Sequence, residues 1–310
     1  MTLSVCILTN NNQQKLKKCL ESVKKIADEI IVVIDDTTTD NSEQISRQFT
    51  ERVFIRPHQN NFHILKQFAI EQASQKWILW MDDDEELEPD LGQEIRNIVQ
   101  HPLEDTDEDN LTNTVFQIPR KNIIFNKWIE HTGWYPDYQI RLWRNGTVYW
   151  PCQSVHEHPN INNQQLQSLQ NHLIHHNYQT LSQWLQKLDS YSTNDAKHYI
   201  KEFSKPYYKN FLTRPLDQFV ERYIKDQGYK DGLHGLVLSI LQSFYMVIVS
   251  AKAWEMKKFE QETIHTPLQS IEQQAKYLKK IWKWWKYEDQ ITTQKSAVKK
   301  LALRIKRKIS

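Results

Sequence analysis

Glycine is scarce in this chain: six residues in 310, the first at position 92. Phosphate-binding loops of the GxGxxG and GxxxxGKS/T kinds need glycine for a tight turn and for close approach of backbone N–H groups to phosphate. Neither pattern occurs before residue 92, so a phosphate bound in that region must be held by other means. The three cysteines, Cys6, Cys19 and Cys152, are scattered without CxxC spacing. A disulfide framework is therefore not expected; buried thiols in a reducing compartment are. Ten prolines and six glycines are too few for a collagen-like or linker-like chain. Long apolar runs are lacking as well. The longest, Leu236–Ala251, is broken by Ser239, Gln242 and Ser243. It falls short of the roughly 20 residues that cross a bilayer, so a buried or interfacial helix is expected there. No basic segment precedes the short apolar run of MTLSVCILTNNN, so no signal peptide is expected.

Charge is present but unevenly placed. The net formal charge of the chain is +2, yet Lys276–Ser310 holds twelve basic residues against Glu288 and Asp289. That segment carries +10 and the preceding 275 residues carry −8. An acidic body with a basic tail disfavours nucleic acid as a partner of the body and points the tail at a different anionic surface.

The first half alternates strand and helix patterns. LSVCIL (Leu3–Leu8) and EIIVVID (Glu29–Asp35) are near-continuous aliphatic runs, as expected of strands buried on both faces of a parallel sheet. Leu16, Leu20, Val23 and Ile26 follow the first run at helical spacing. A helix from about Asp40, a strand Arg52–Arg56, a helix Phe62–Gln75 and a strand Trp77–Met81 come next. Three successive βα units predict an α/β, doubly wound, mostly parallel sheet. EDTDEDN (Glu104–Asn110) reads as a solvated loop, strands resume at Val115–Pro119 and Tyr138–Trp143, and the pattern is helical after Tyr178. The expected organisation is a sheet domain over 1–178 and a helical region over 179–310.

Ligands of open α/β sheets sit beyond the carboxyl ends of the strands. Two of those ends carry acids: Asp35-Asp36 after IIVVI, and Asp82-Asp83-Asp84-Glu85-Glu86 after WILWM. Residues i and i+2 of an extended segment face the same way, so Asp82 and Asp84 are expected to converge. Two carboxylates suit a hard divalent cation, Mg²⁺ or Mn²⁺, with water and phosphate oxygens completing its shell.

The blocks IIVVIDDTTTDNS (Ile30–Ser42), WILWMDDDEEL (Trp77–Leu87), GWYPDYQIRLWRNG (Gly133–Gly146), VHEHP (Val155–Pro159) and LIHHNY (Leu173–Tyr178) together resemble family 2 glycosyltransferases of the GT-A fold. They are similar in particular to lipopolysaccharide-core β-1,4-glucosyltransferases and related envelope-polysaccharide transferases. The resemblance implies an inverting, metal-dependent hexosyl transfer. It implies that Thr9 and Asp35 lie on the nucleotide, that Asp82, Asp83 and Arg141 serve the sugar diphosphate, and that Asp82 and Asp84 bind the metal. It also implies that Asp137 is the general base, with Glu157 as the alternative. Two departures stand out. Asp35-Asp36-Thr37-Thr38-Thr39-Asp40 occupies the turn where Asp-Ser-Gly-Ser-Thr-Asp is usual, with Thr replacing Gly, and Phe68-Ala69 stands where Asn-Ala is common.

Histidines cluster at His156, His158, His172, His175 and His176. They are either hydrogen-bonded structural groups or, for His175 and His176, additional metal ligands. Trp128, Trp134, Tyr135 and Trp150 offer aromatic faces for a sugar, and Trp134 is the expected acceptor contact. In the tail, Val298, Leu301, Ile305 and Ile309 recur at helical spacing among lysines and arginines, while Trp282, Trp284 and Trp285 mix with Lys279, Lys280, Lys283 and Lys286. A basic amphipathic helix behind a Trp-Lys segment predicts attachment to an anionic membrane surface.

The expectation is thus a cytoplasmic enzyme, peripheral on the inner face of the cell membrane. It would take a nucleotide-sugar donor, UDP-hexose first among them, and a glycan or lipid-linked acceptor. A sugar-phosphate nucleotidyltransferase is disfavoured because the loop after the first strand reads TNNNQQ and lacks Gly and Arg. A non-catalytic membrane-surface protein with a degenerate GT-A fold would have less reason to keep Asp82, Asp84, Asp137 and Arg141.

Overall fold

The aliphatic runs of the first half become strands because both of their faces are covered. β1 (Leu3–Thr9), β2 (Glu29–Asp35), β3 (Val53–Arg56) and β4 (Trp77–Asp82) alternate with α1 (Gln13–Val23), α2 (Ser42–Ser46) and α3 (Phe62–Glu71). There follow β5 (Glu85–Leu87), α4 (Pro89–Gln100), β6 (Val115–Ile124), β7 (Lys127–Trp128), β8 (Asp137–Arg144), β9 (Leu166–Ser168) and β10 (Leu173–His176). The computed structural model describes residues 3–100, 115–153, 158–162, 164–205, 207–262 and 267–309. The expected acidic loop Glu104–Asn110, His156 and Glu157 lie outside the described residues.

The sheet runs β3-β2-β1-β4-β8-β6-β10-β5, with β7 and β9 also paired to β6. β1 to β4 are mutually parallel, and β8 returns antiparallel beside β4. Period-2 alternation sorts the side chains into two cores. Leu3, Val5, Ile7, Val32, Ile34, Leu79 and Met81 face the apolar stripes of α1 and α4, namely Leu16, Leu20, Val23, Leu91 and Ile95. Cys6, Ile31, Val33, Ile78, Trp80 and Trp143 face α3 through Leu65, Ala69 and Ile70. Helices on both faces of a mixed, mostly parallel sheet make this the α/β class that the run pattern predicts. Each fully buried aliphatic side chain contributes about 1.5–3 kcal/mol.

By contact density the chain forms two units, residues 1–128 with 135–179, and residues 129–134 with 180–310. The second unit is helical: α5 (Leu181–Tyr199), α6 (Tyr207–Phe219), a π-helical turn Val220–Lys225, a 3₁₀ turn Gly228–Asp231, α7 (Leu233–Met256), α8 (Pro267–Thr293) and α9 (Ala297–Ile309). Ala196, Phe203, Tyr207, Val249 and Ala253 form its core. α7 packs so closely that a Cβ on Gly235 would sit 1.8 Å from the Gly228 carbonyl oxygen. A buried carboxylate, Asp231, accepts from the backbone N–H groups of Glu130 and His131 and from the Thr132 hydroxyl, and so secures segment 129–134 within this unit.

α7 departs from the sequence expectation in length. The polar residues Ser239, Gln242 and Ser243 do not interrupt it, because Ser239 returns its hydroxyl to the Gly235 carbonyl and Ser243 donates to Pro215 O. The helix is 24 residues long and contains an 18-residue stretch of mean hydropathy 1.7, long and apolar enough to cross a membrane.

Candidate active site

The carboxyl ends of β1, β2 and β4 carry Thr9, Asp35 and Asp82 side by side. Thr9 pairs with Ile34 across β1–β2, and Leu8 with Asp82 across β1–β4. Asp35 and Asp82 are therefore two strands apart, about 10 Å at the usual inter-strand spacing.

Asp35 is buried, and its carboxylate is filled on both sides. Oδ1 accepts from the Thr37 N–H at 3.0 Å and the Thr37 hydroxyl at 2.6 Å, while Oδ2 meets His58 Nδ1 at 2.7 Å. Burial opposes its charge, but Thr37 and His58 hold the carboxyl below its usual range. His58 was not foreseen. The available signal was its place two residues past β3, whose last residue, Arg56, pairs with Asp35.

β4 ends at Asp82, so the i, i+2 alternation expected to join Asp82 with Asp84 stops there. The chain turns through Asp83 and Asp84 into β5, and the three acids take three different sets of partners. Asp82 Oδ1 accepts from the Trp80 indole N–H at 2.8 Å, and Oδ2 from Arg141 Nη2. Burial opposes its charge, but Arg141, Lys66 and Arg120 keep it ionised, well below the ordinary carboxylate range. Asp83 accepts from the Thr9 hydroxyl at 2.6 Å and the Asn12 amide at 2.7 Å. Burial, with Asp84 and Asp82 beside it, nevertheless pushes its carboxyl up to about 7. Asp84 Oδ1 lies 3.5 Å from His175 Nε2, and Oδ2 lies 3.9 Å from Lys15 Nζ. Burial again opposes ionisation, and His175 together with Lys15 lowers the carboxyl.

Asp137 opens β8, where it is registered with Arg120 of β6. Arg120 donates to its Oδ2 from Nε at 2.9 Å and Nη2 at 2.6 Å, Asn122 at 3.0 Å, and Gln139 donates to Oδ1 at 2.8 Å. Burial raises and these donors lower the carboxyl, with the net effect downward. Arg120 Nη1 also reaches Glu85 Oε1 at 3.2 Å, and Arg141 Nη2 reaches the same oxygen at 2.6 Å. A continuous ladder of alternating charge thus joins Asp137, Arg120, Glu85, Arg141 and Asp82. Of its five members, sequence reasoning had singled out three. Arg120 and Glu85 were missed, as was Asn122 outside the ladder, although the i, i+2 spacing of Arg120 and Asn122 in PRKN put both on one strand face.

Residues 4–156 match the family model "Glycosyl transferase family 2". Through this domain the chain belongs to glycosyl transferase family 2. The glycosyltransferase is 25% identical over 271 residues to "Lipopolysaccharide core biosynthesis glycosyltransferase LpsC" of Rhizobium meliloti (strain 1021), covering 82% of this chain and 93% of that one. It is 23% identical over 295 residues to "Uncharacterized glycosyltransferase RP128" of Rickettsia prowazekii (strain Madrid E), covering 84% and 90%. Among solved structures, Staphylococcus aureus TarS 1–349 in complex with UDP aligns with a TM-score of 0.38 and 13% identity, over 86% of this chain and 95% of that chain.

The remaining expected residues separate. His175 faces Asp84 and shares a hydrogen bond with Asn122 Oδ1 at 2.6 Å, whereas His176, one residue on, faces Glu86 Oε2 at 3.0 Å. Strand alternation in β10 sends the two imidazoles to different partners. Trp134 falls in the helical unit, where its N–H bonds the His131 carbonyl. Trp150 is buried in the core against Trp143.

Among the described residues, no group of three or more His, Cys, Asp or Glu side chains stands close enough to hold a metal ion unaided. Asp84 and His175 do bring a carboxylate oxygen and an imidazole nitrogen together at 3.5 Å. That donor pair fits a divalent cation of the Mn²⁺ or Mg²⁺ type that draws its other ligands from water and phosphate.

Proposed function

We propose that this glycosyltransferase moves a hexose, with inversion at the anomeric carbon, from a nucleotide-sugar donor to a glycan or lipid-linked acceptor in envelope-polysaccharide or lipopolysaccharide biosynthesis. UDP-hexose is the donor class favoured. The observation that carries the reading is the ladder from Asp137 to Asp82, which sets a carboxylate and two guanidinium groups at the carboxyl end of the central strands.

Asp137 is assigned the acceptor side. An attacking hydroxyl loses its proton as the glycosidic bond forms, and a positioned carboxylate that takes it contributes about 10²–10⁴-fold. With four donors on its oxygens, Asp137 is a weak base in this state. Exchange of one Arg120 bond for the acceptor hydroxyl would raise its basicity. Glu157 remains the alternative base by sequence and lies outside the described residues.

On the donor side, Thr9, Asp35, Asp82 and Asp83 are assigned to the nucleotide-sugar, and Arg141 to the departing diphosphate. A divalent metal, when bound, would neutralise charge on that leaving group. Asp84 and His175 are assigned to hold it, a reading their 3.5 Å approach supports. Asp82 would join them only by giving up Arg141, and His176 only by leaving Glu86.

The helical unit is assigned to the membrane. Trp282, Trp284, Leu301 and Ile305 are exposed on α8 and α9 beside basic residues. Each Lys or Arg near an anionic leaflet contributes about 1 kcal/mol. This supports a peripheral enzyme on the cytoplasmic face, with the second unit as its anchor. Trp134, in the same unit, is the assigned acceptor contact.

The stereochemical claim is tested by NMR of the product made from an α-linked UDP-hexose. A β-linked product supports inversion; an α-linked product overturns it. Activity that survives exhaustive chelation would remove the metal from the account.

A further inference from the structure

Lys66 occupies a place where an aliphatic residue would be expected. It lies on the sheet-facing stripe of α3, three residues from both His63 and Ala69, and is 6% exposed. Its ammonium nitrogen sits 4.3 Å from the centroid of the Trp80 ring and 4.0 Å from that of Trp150. Among the described residues it has no hydrogen bond and no ion pair. Buried lysines are ordinarily paired, because an ammonium withdrawn from water has lost its solvation. Here two indole faces stand in for the acceptors.

The surroundings make that choice costly. Asp82 and Glu85 attract the ammonium while Arg141 and Arg120 oppose it, and burial, with Arg141 next in effect, brings its pKa down to about 7. A methionine of similar length would fill the space without those opposing charges.

What the lysine holds has a direct link to the site. Trp80 is fully buried, and its indole N–H donates to Asp82 Oδ1 at 2.8 Å. Trp80 and Asp82 are i and i+2 on β4, so the ring and the carboxylate share a face. Trp150, the other half of the sandwich, is fixed independently. Its backbone N–H donates to Gln67 Oε1 at 3.0 Å, and the His63 ring stacks on it with centroids 6.0 Å apart.

We propose that Lys66 is a positioning residue of the donor site, its ammonium clamping the Trp80 indole against the fixed Trp150 so that Trp80 sets the Asp82 carboxylate. The proposal rests on the reading that Asp82 serves the donor, and the test separates the two.

UDP with MnCl₂ is titrated calorimetrically into the full-length wild type and into Lys66→Met, Lys66→Arg, Trp80→Phe, Lys66→Met/Trp80→Phe and Asp82→Asn. Lys66→Met should weaken UDP binding about tenfold, the scale of a desolvated cation–π contact. Lys66→Arg, which can stack between the same rings, should recover most of the loss. Trp80→Phe removes the N–H to Asp82, so adding Lys66→Met to it should cost less than about twofold more. A purely structural lysine would lower thermal stability without this rescue or this non-additivity. Where Lys66→Met does not fold, Lys66→Gln replaces it in the same cycle. Wild-type affinity in Lys66→Met, or effects that multiply in the double variant, overturns the proposal. If Asp82→Asn weakens UDP binding and Lys66→Met does not, the donor role of Asp82 stands and the role of Lys66 falls. Unchanged affinity in Asp82→Asn, or no UDP binding by the wild type, removes the donor reading and the proposal with it.

Discussion

Arg141→Met probes the centre of the charge ladder, and its cost can be worked from the burial of each partner. The Arg141 side chain is 4% exposed, that of Glu85 0%, and that of Asp82 40%. Removing one partner of a buried pair leaves an uncompensated charge and typically costs about 3–5 kcal/mol. Two features pull the estimate to the low end. Arg120 stays 3.2 Å from Glu85, and Asp82 is exposed enough for water to replace its lost partner. The expected loss is therefore about 3 kcal/mol, a large part of the 5–15 kcal/mol that a domain possesses. Glu85→Gln in the same chain removes the stranded charge, so the double variant should recover at least about 1 kcal/mol of the loss. Urea denaturation at neutral pH, read by linear extrapolation, measures both values. A single-variant loss below about 1 kcal/mol, or no recovery in the double, would refute the reading that Arg141 is the main partner of the buried Glu85 carboxylate.

Further outcomes follow from the same structure. Asp83 has its carboxyl raised to about 7 by burial first, with Asp84 and Asp82 adding to it. Between its ordinary value near 4 and about 7 the folded state keeps a proton that the unfolded chain releases, so this contribution to stability falls as pH rises. Thermal melts from pH 4.5 to 7.5 should show that fall flattened in Asp83→Asn; an unchanged slope argues against it. Asp84→Ala and His175→Ala should each raise the Mn²⁺ concentration for half-maximal activity, His176→Ala should not, and a metal titration of the three compares them. Leu79→Ala, fully buried between β1 and β8, should cost about 2–5 kcal/mol in a denaturant melt, and a loss under about 1 would contradict the packing described. Deleting residues 295–310 should weaken sedimentation with anionic vesicles at low salt and spare turnover of a soluble acceptor; equal co-sedimentation of both forms contradicts the anchor.

The sheet was legible because its strands are buried on both faces. Continuous aliphatic runs such as EIIVVID have few other stable placements, and scarce glycine left the acids at the strand ends as the visible chemistry. Asp35 and Asp82 were singled out that way, and Asp137 and Arg141 through the resemblance of GWYPDYQIRLWRNG to family 2 glycosyltransferases. The partnerships were not legible. That Asp82 takes Arg141 while Asp84 takes His175 depends on where β4 stops, and one residue of strand length decides which acids share a face. Arg120 and Lys66 were passed over because a basic residue in a strand or helix usually reads as solvated. Their burial becomes visible only when β8 packs between β4 and β6, and α3 over Trp80. The length of α7 was underestimated because its serines spend their hydroxyls on helix carbonyls rather than ending the helix.

The central claim is that the chain transfers a sugar from a nucleotide donor with Asp137 taking the acceptor proton. It is tested most directly by nucleoside-diphosphate release from UDP-hexoses with Mn²⁺ and an envelope-glycan extract as acceptor, for wild type and a folded Asp137→Asn. The account predicts release by the wild type and a loss of about 10²–10⁴-fold in the variant, with UDP affinity kept. Equal turnover by the variant would contradict the role of Asp137, and a wild type that releases no diphosphate from any donor would contradict the transfer itself.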